Sequence, residues 1–89
     1  MAKILVTPDE LDQASNTFTQ AQSQSVDLVS RLNSTISNFQ GRWEGMTQQK
    51  FFQEYEAAKQ NMQKYIEMLE EVSKELKTIA TRFRQADGQ

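Results

Sequence analysis

Residues 41–47 read GRWEGMT, and how they are read decides the fold. They set the only tryptophan of an 89-residue chain, Trp43, between two of its three glycines. Glycine is a poor helix former, so Gly41 and Gly45 mark an interruption. Tryptophan is the largest apolar side chain available and has no obvious place in a turn. On either side, no glycine or proline occurs from Asp9 to Gln40 or from Met46 to Asp87.

Working outward from that interruption, both flanks carry one periodicity. Before it, small and apolar residues recur at Leu11, Ala14, Phe18, Ala21, Ser25, Leu28, Leu32, Thr35 and Phe39. After it come Phe51, Tyr55, Ala58, Met62, Tyr65, Leu69, Val72, Leu76, Ile79, Phe83 and Ala86. The steps alternate between three and four residues throughout, which is the heptad beat of a packed helix. Val29 and Ile36 flank the first line; Phe52, Ile66 and Ala80 flank the second. The first helix opens at Thr7-Pro8-Asp9-Glu10. There Thr7 and Glu10 match a capping box, Pro8 suits the first helical position, and two acids face the positive end of the dipole. The expected layout is one domain over residues 1–89: helix 1 about 8–40, a turn about 41–46, helix 2 about 46–86. The fold class is all-α, an antiparallel helix-turn-helix hairpin, with GRWEGMT as its tip and Gly41 as a helix C-cap.

Two helices of roughly 48 and 60 Å cannot hide these stripes from water. With its flanking line, each stripe spans about three positions in seven, more than a single neighbouring helix covers. Two hairpins packed face to face would close a four-helix bundle, and the minimal solution is a symmetric homodimer, which is the expectation here. The dimer and core seam would then comprise Leu11, Phe18, Leu28, Leu32, Phe39, Phe51, Tyr55, Met62, Tyr65, Leu69, Val72, Leu76 and Ile79. A second copy satisfies that seam, and so does a paralogous hairpin.

Composition excludes several classes of function. The chain contains neither cysteine nor histidine, so disulfides, ordinary zinc sites and Glu-x-x-His di-iron sites are ruled out. No metal and no cofactor is expected. Ten basic and twelve acidic residues give a net charge of −2, and the basic ones are dispersed, which argues against nucleic acid. Ile4-Leu5-Val6 is too short an apolar run for a signal peptide. No stretch is apolar enough to insert stably in a membrane, and mean hydropathy is −0.72. No nucleophile–base pair or phosphate-binding loop is present, so the chain is read as a non-enzyme. Asp27/Arg31 and Glu70/Lys74 have helical i,i+4 spacing suited to ion pairs.

Trp43 admits two compatible readings. As a plug, it folds back over the open end of the core; as a recognition residue, it uses a tip that is free of packing duties. Phe51, Phe52 and Tyr55 are read separately, as core near the tip. Trp43-Glu44-Gly45 at the bend of a cysteine-free helical hairpin resembles the WXG family. These are the ESAT-like, EsxA-type substrates of the bacterial type VII (ESX) secretion system, and the resemblance points to a Gram-positive source. The resemblance covers the whole chain. It implies folded, dimeric export without a cleavable signal peptide: cytoplasmic first, then secreted. It also implies a secretion ATPase as partner, and a role in virulence or in partnering larger exported proteins.

The family's export motif pairs Trp-x-Gly, here Trp43 and Gly45, with Tyr-x-x-x-Asp/Glu after the second helix. This chain departs from that pattern, and Phe83 and Asp87 occupy the nearest equivalent positions. In a head-to-tail dimer, Trp43 of one subunit would lie near Phe83 and Asp87 of the other. A generic helical dimerisation or adaptor module is the competing reading, and a membrane-active helical protein is a further one. The acidic, mixed polar face argues against the last.

Overall fold

The computed structural model describes residues 5–43 and 45–86. Helix α1 runs Pro8–Gln40 and helix α2 runs Met46–Ala86, side by side and antiparallel. Hydrogen bonding of the backbone explains each boundary. Thr7, extended at φ −92° and ψ 156°, is the N-cap of α1. Its hydroxyl accepts from the Glu10 N–H at 3.1 Å, while its own N–H donates to the Glu10 carboxylate at 3.0 Å. The capping box is therefore closed in both directions.

At the far end of α1, the N–H groups of Arg42 and Trp43 both donate to the Phe39 carbonyl, at 2.9 and 3.0 Å. The Arg42 side chain turns back and donates from Nε to the Asn38 carbonyl at 3.0 Å. That bond supplies a donor and a positive charge to a helix end whose last turn has no basic residue of its own. Gly41 occupies the C-cap in the right-handed region, at φ −87°, without the left-handed conformation that helix-ending glycines commonly adopt. The left-handed position is Gly45, at φ +113°, whose carbonyl accepts from the Gln49 N–H at 3.3 Å and so starts α2.

Polar residues inside the helices are absorbed locally. Hydroxyls of Thr17, Ser25, Thr35, Thr78 and Thr81 each donate to the carbonyl four residues earlier, as hydroxyl side chains do within helices. On the helix surface, Glu70 pairs with Lys74 at 3.0 Å. Asp27 and Arg31 form no ion pair among the described residues, so their spacing is not used.

Contact between the helices is narrow. Leu69 and Ala80 are the buried apolar residues, and Ser15 and Ser73 are buried with them. Ser15 donates to the Ser73 carbonyl at 2.8 Å, and Ser73 donates back to the Ser15 carbonyl at 3.1 Å. Only small side chains permit helix backbones to approach so closely. Further toward the tip, the Tyr55 hydroxyl bonds the Asn33 side-chain oxygen. The α1 line that meets α2 is thus the one through Ser15, with Gln22, Val29 and Ile36 at seven-residue steps. Val29 and Ile36, read from the sequence as a flank, share the helix face of Ser15 and are half-buried.

The rest of the stripe is left partly or largely open to solvent. Leu28, Phe39 and Tyr65 are 48%, 39% and 54% exposed. Leu11, Phe18, Leu32, Phe51, Tyr55, Met62, Val72, Leu76 and Ile79 are half-buried. The molecule measures 65 × 24 × 16 Å, with a radius of gyration of 19.9 Å. A compact chain of this length would have about 12 Å, so the hairpin is a rod with little interior. Neither described helix is long and apolar enough to cross a membrane.

Candidate functional site at the hairpin tip

The tip is built on an aromatic column at the start of α2. Trp43 lies with its ring centroid 5.2 Å from Phe51, tilted by 38°, and 6.1 Å from Phe52 at 52°. Phe51 meets Phe52 edge-on at 5.4 Å and 74°, and stacks on Tyr55 at 6.4 Å and 9°. Pairs of this kind contribute about 0.5–1.5 kcal/mol each beyond their buried area. They hold the indole in place without sealing it, since Trp43 is only half-buried. With Phe39 and Arg42, Trp43 lines a shallow, mainly apolar hollow. The tryptophan is therefore anchored by Phe51 and Phe52 and left half-buried.

Gly45 shapes this tip through its backbone. A side chain there would meet nothing within 4 Å, yet its φ of +113° is one that L residues rarely adopt. Gly41 has equally open surroundings and an ordinary φ. Of the two glycines flanking the tryptophan, Gly45 is the one whose conformation the turn requires.

Phe83, the other predicted recognition residue that the structure describes, lies at the opposite end of the rod. Phe83 is half-buried near the end of α2; Asp87 lies outside the described residues. Within one chain, the rod's length separates Trp43 from Phe83, so a single hairpin does not bring them together. Beside Phe83, Arg84 donates from Nη2 to Asp9 Oδ1 at 2.8 Å and approaches Asp12 Oδ2 at 2.9 Å. The hydrogen bonds to Asp12 and then Asp9 push the pKa of Arg84 up from its ordinary value. Among the described residues, no group of acidic side chains is arranged to hold a metal ion.

Sequence reading did not find three of these groupings: the Ser15–Thr19–Ser73 hydroxyl cluster, the Asn33–Tyr55 bond and the Arg84 ion pairs. A signal existed for the first. Ser73 continues the line Phe52, Lys59, Ile66, Ala80 at seven-residue steps, and two serines facing each other on such lines mark close helix approach.

Two long amphipathic helices, folded back at a half-buried tryptophan beside a left-handed glycine, define a class of helical hairpin proteins. The chain belongs to the WXG100 family, proteins of 100 residues with WXG, whose model matches residues 3–88. It is 30% identical to the protein YukE of Bacillus subtilis over 84 residues, covering 94% of this chain and 87% of that one. It is 25% identical over 89 residues to the type VII secretion system extracellular protein A of Staphylococcus aureus, covering 100% and 92%. The crystal structure of a secreted protein, EsxB of Bacillus anthracis, superimposes with a TM-score of 0.85 at 41% identity, over 98% of this chain and 99% of that one.

Proposed function

We propose that this chain is a small, non-catalytic protein exported by a type VII (ESX) secretion system as a folded dimer of hairpins. Similarity to a secreted protein and to a type VII extracellular protein supports the export reading. The open apolar stripe supports the dimer. The hairpin exposes 7166 Å², against about 5,400 Å² for a compact monomer of its mass. That excess is of the order that a specific interface buries. A second copy, laid head to tail along the stripe, would cover Leu28, Phe39 and Tyr65 and complete a four-helix bundle. A paralogous hairpin of similar pattern would do the same, and co-expression followed by mass measurement tells the two apart.

The observation that carries the recognition role is the geometry of Trp43. It is held by Phe51 and Phe52 and left half-open beside Phe39 and Arg42, as suits a contact residue for the secretion ATPase. Head-to-tail pairing sets this tip beside the partner's chain end, where Phe83 and Asp87 complete a composite signal. The exporter would then read folding and pairing together. Outside the cell, the family resemblance extends this reading to a role in virulence or as the export partner of a larger protein.

Export of Trp43→Ala, followed by immunoblotting supernatant against lysate, is the test. The expected outcome is loss of export with helicity and dimer mass retained. Export at the parental rate would remove Trp43 from recognition, whereas unfolding would assign it to packing alone.

A further inference from the structure

Helix α2 outruns α1 at the open end of the hairpin. Ser15 opposite Ser73 and Asn33 opposite Tyr55 set a single register. In that register Pro8, the first residue of α1, falls opposite Ala80. Residues 81–86 therefore extend about 9 Å beyond the start of α1, with no turn of α1 alongside. A helix end of this kind frays unless something holds it.

One side chain reaches back. Helical side chains lean toward the N-terminus of their own helix, and Arg84 follows that lean to Asp9 and Asp12, at 2.8 and 2.9 Å. Asp9 and Asp12 are three residues apart, on neighbouring turns of one face of α1. Among the described residues these are the ion pairs that join the two helices, since the others lie within α2. One planar guanidinium bridging two carboxylates fixes a direction as well as a distance.

We propose that Arg84 is a positioning residue for the C-terminal end of α2. By clasping Asp9 and Asp12 it keeps the last turn and a half of α2 helical and in line with the hairpin. It thereby fixes where Phe83 and the last turn of α2 stand when the exporter reads them. This inference rests on the export reading above. Exposed ion pairs add little to global stability, so the consequence of losing the clasp is local. Without Arg84, Asp9 still stands at the favourable positive end of α1, and the Ser15–Ser73 contact lies well inside the hairpin. The change falls on α2 beyond Ala80.

Hydrogen exchange on the full-length protein, paired with an export assay, tests the clasp. In Arg84→Ala, amides of residues 82–86 are expected to exchange at least tenfold faster. Dimer mass and the melting temperature stay at parental values, and export falls several-fold. Reversing the pair as Arg84→Asp with Asp12→Arg should return both protection and export toward the parent, whereas Arg84→Asp alone should not. Unchanged exchange in Arg84→Ala overturns the clasp. Faster exchange with parental export overturns its positioning role and leaves the export reading standing. If the parent protein itself never reaches the supernatant, the export reading fails, and the exchange measurement, which needs no exporter, still judges the clasp.

Discussion

Ser73 sits where α1 and α2 come closest, and its hydroxyl is shared among three partners. It donates to the Ser15 carbonyl, lies 2.9 Å from the Ser15 hydroxyl and 2.7 Å from the Thr19 hydroxyl. Buried polar groups are tolerated when satisfied and costly when not. Among the described residues, no buried side-chain nitrogen or oxygen lacks a partner. Ser73→Ala is expected to lower stability by about 1 kcal/mol through the lost hydrogen bonds, measured by urea denaturation. Ser73→Leu should cost more, about 1–3 kcal/mol, because its volume forces the backbones apart. A leucine variant more stable than the parent would show that close approach at this layer is not required. Residue scale also separates the two glycines. Gly45→Ala places a side chain at φ +113° and should destabilise by roughly 1–2 kcal/mol. Gly41→Ala, at an ordinary φ, should stay within about 0.5 kcal/mol of the parent.

At the scale of the element, the ends of α1 are held by different means. Its start is secured by side chains encoded within four residues, the capping box of Thr7 and Glu10. Its end is secured by Arg42, which lies beyond the helix and returns to the Asn38 carbonyl. Replacing Thr7 by Ala should cost about 1 kcal/mol. For a chain of this size that corresponds to a fall of roughly 4–8 °C in Tm, read by circular dichroism. Helix α2 has no acidic residue in its first turn, and its opening is shaped by Gly45 and the aromatic column instead. Tip stability is therefore tied to Trp43, Phe51 and Phe52, and variation at the tip acts on presentation and packing together. Dimer mass has to be measured beside export for that reason.

The whole molecule is a two-faced ribbon. Two residues apart on a helix means about 200° of rotation, so Leu28 and Val26 point to opposite faces of α1, and both are about half exposed. Leu28 belongs to the long stripe with Phe39 and Tyr65. Val26 borders a smaller groove with Val29, Gln63, Ile66 and Glu67. If the long stripe is the dimer face, Leu28→Glu should shift the sedimenting species toward monomer at micromolar concentration, whereas Val26→Glu should leave dimer mass unchanged. The opposite pattern would move the interface to the other face, and a parent that sediments as a monomer would remove the dimer altogether.

Two helices, a bend at GRWEGMT and a capped start at Thr7 were legible in the chain itself, because heptad spacing, glycine placement and capping act within a few residues of backbone. The sequence alone thus determined a helical hairpin carrying its tryptophan at the tip. Tertiary structure decided which part of each stripe meets the other helix. A three-in-seven stripe is wider than one helix contact, and the small pair Ser15 and Ser73, unremarkable in isolation, wins the centre by allowing the nearest approach. It also decided which glycine is conformationally necessary, since both stand beside the same tryptophan and only Gly45 takes a positive φ. The clasp of Arg84 to Asp9 and Asp12 was invisible beforehand for the simplest reason: its partners are more than seventy residues apart, and only the antiparallel register brings those charges together.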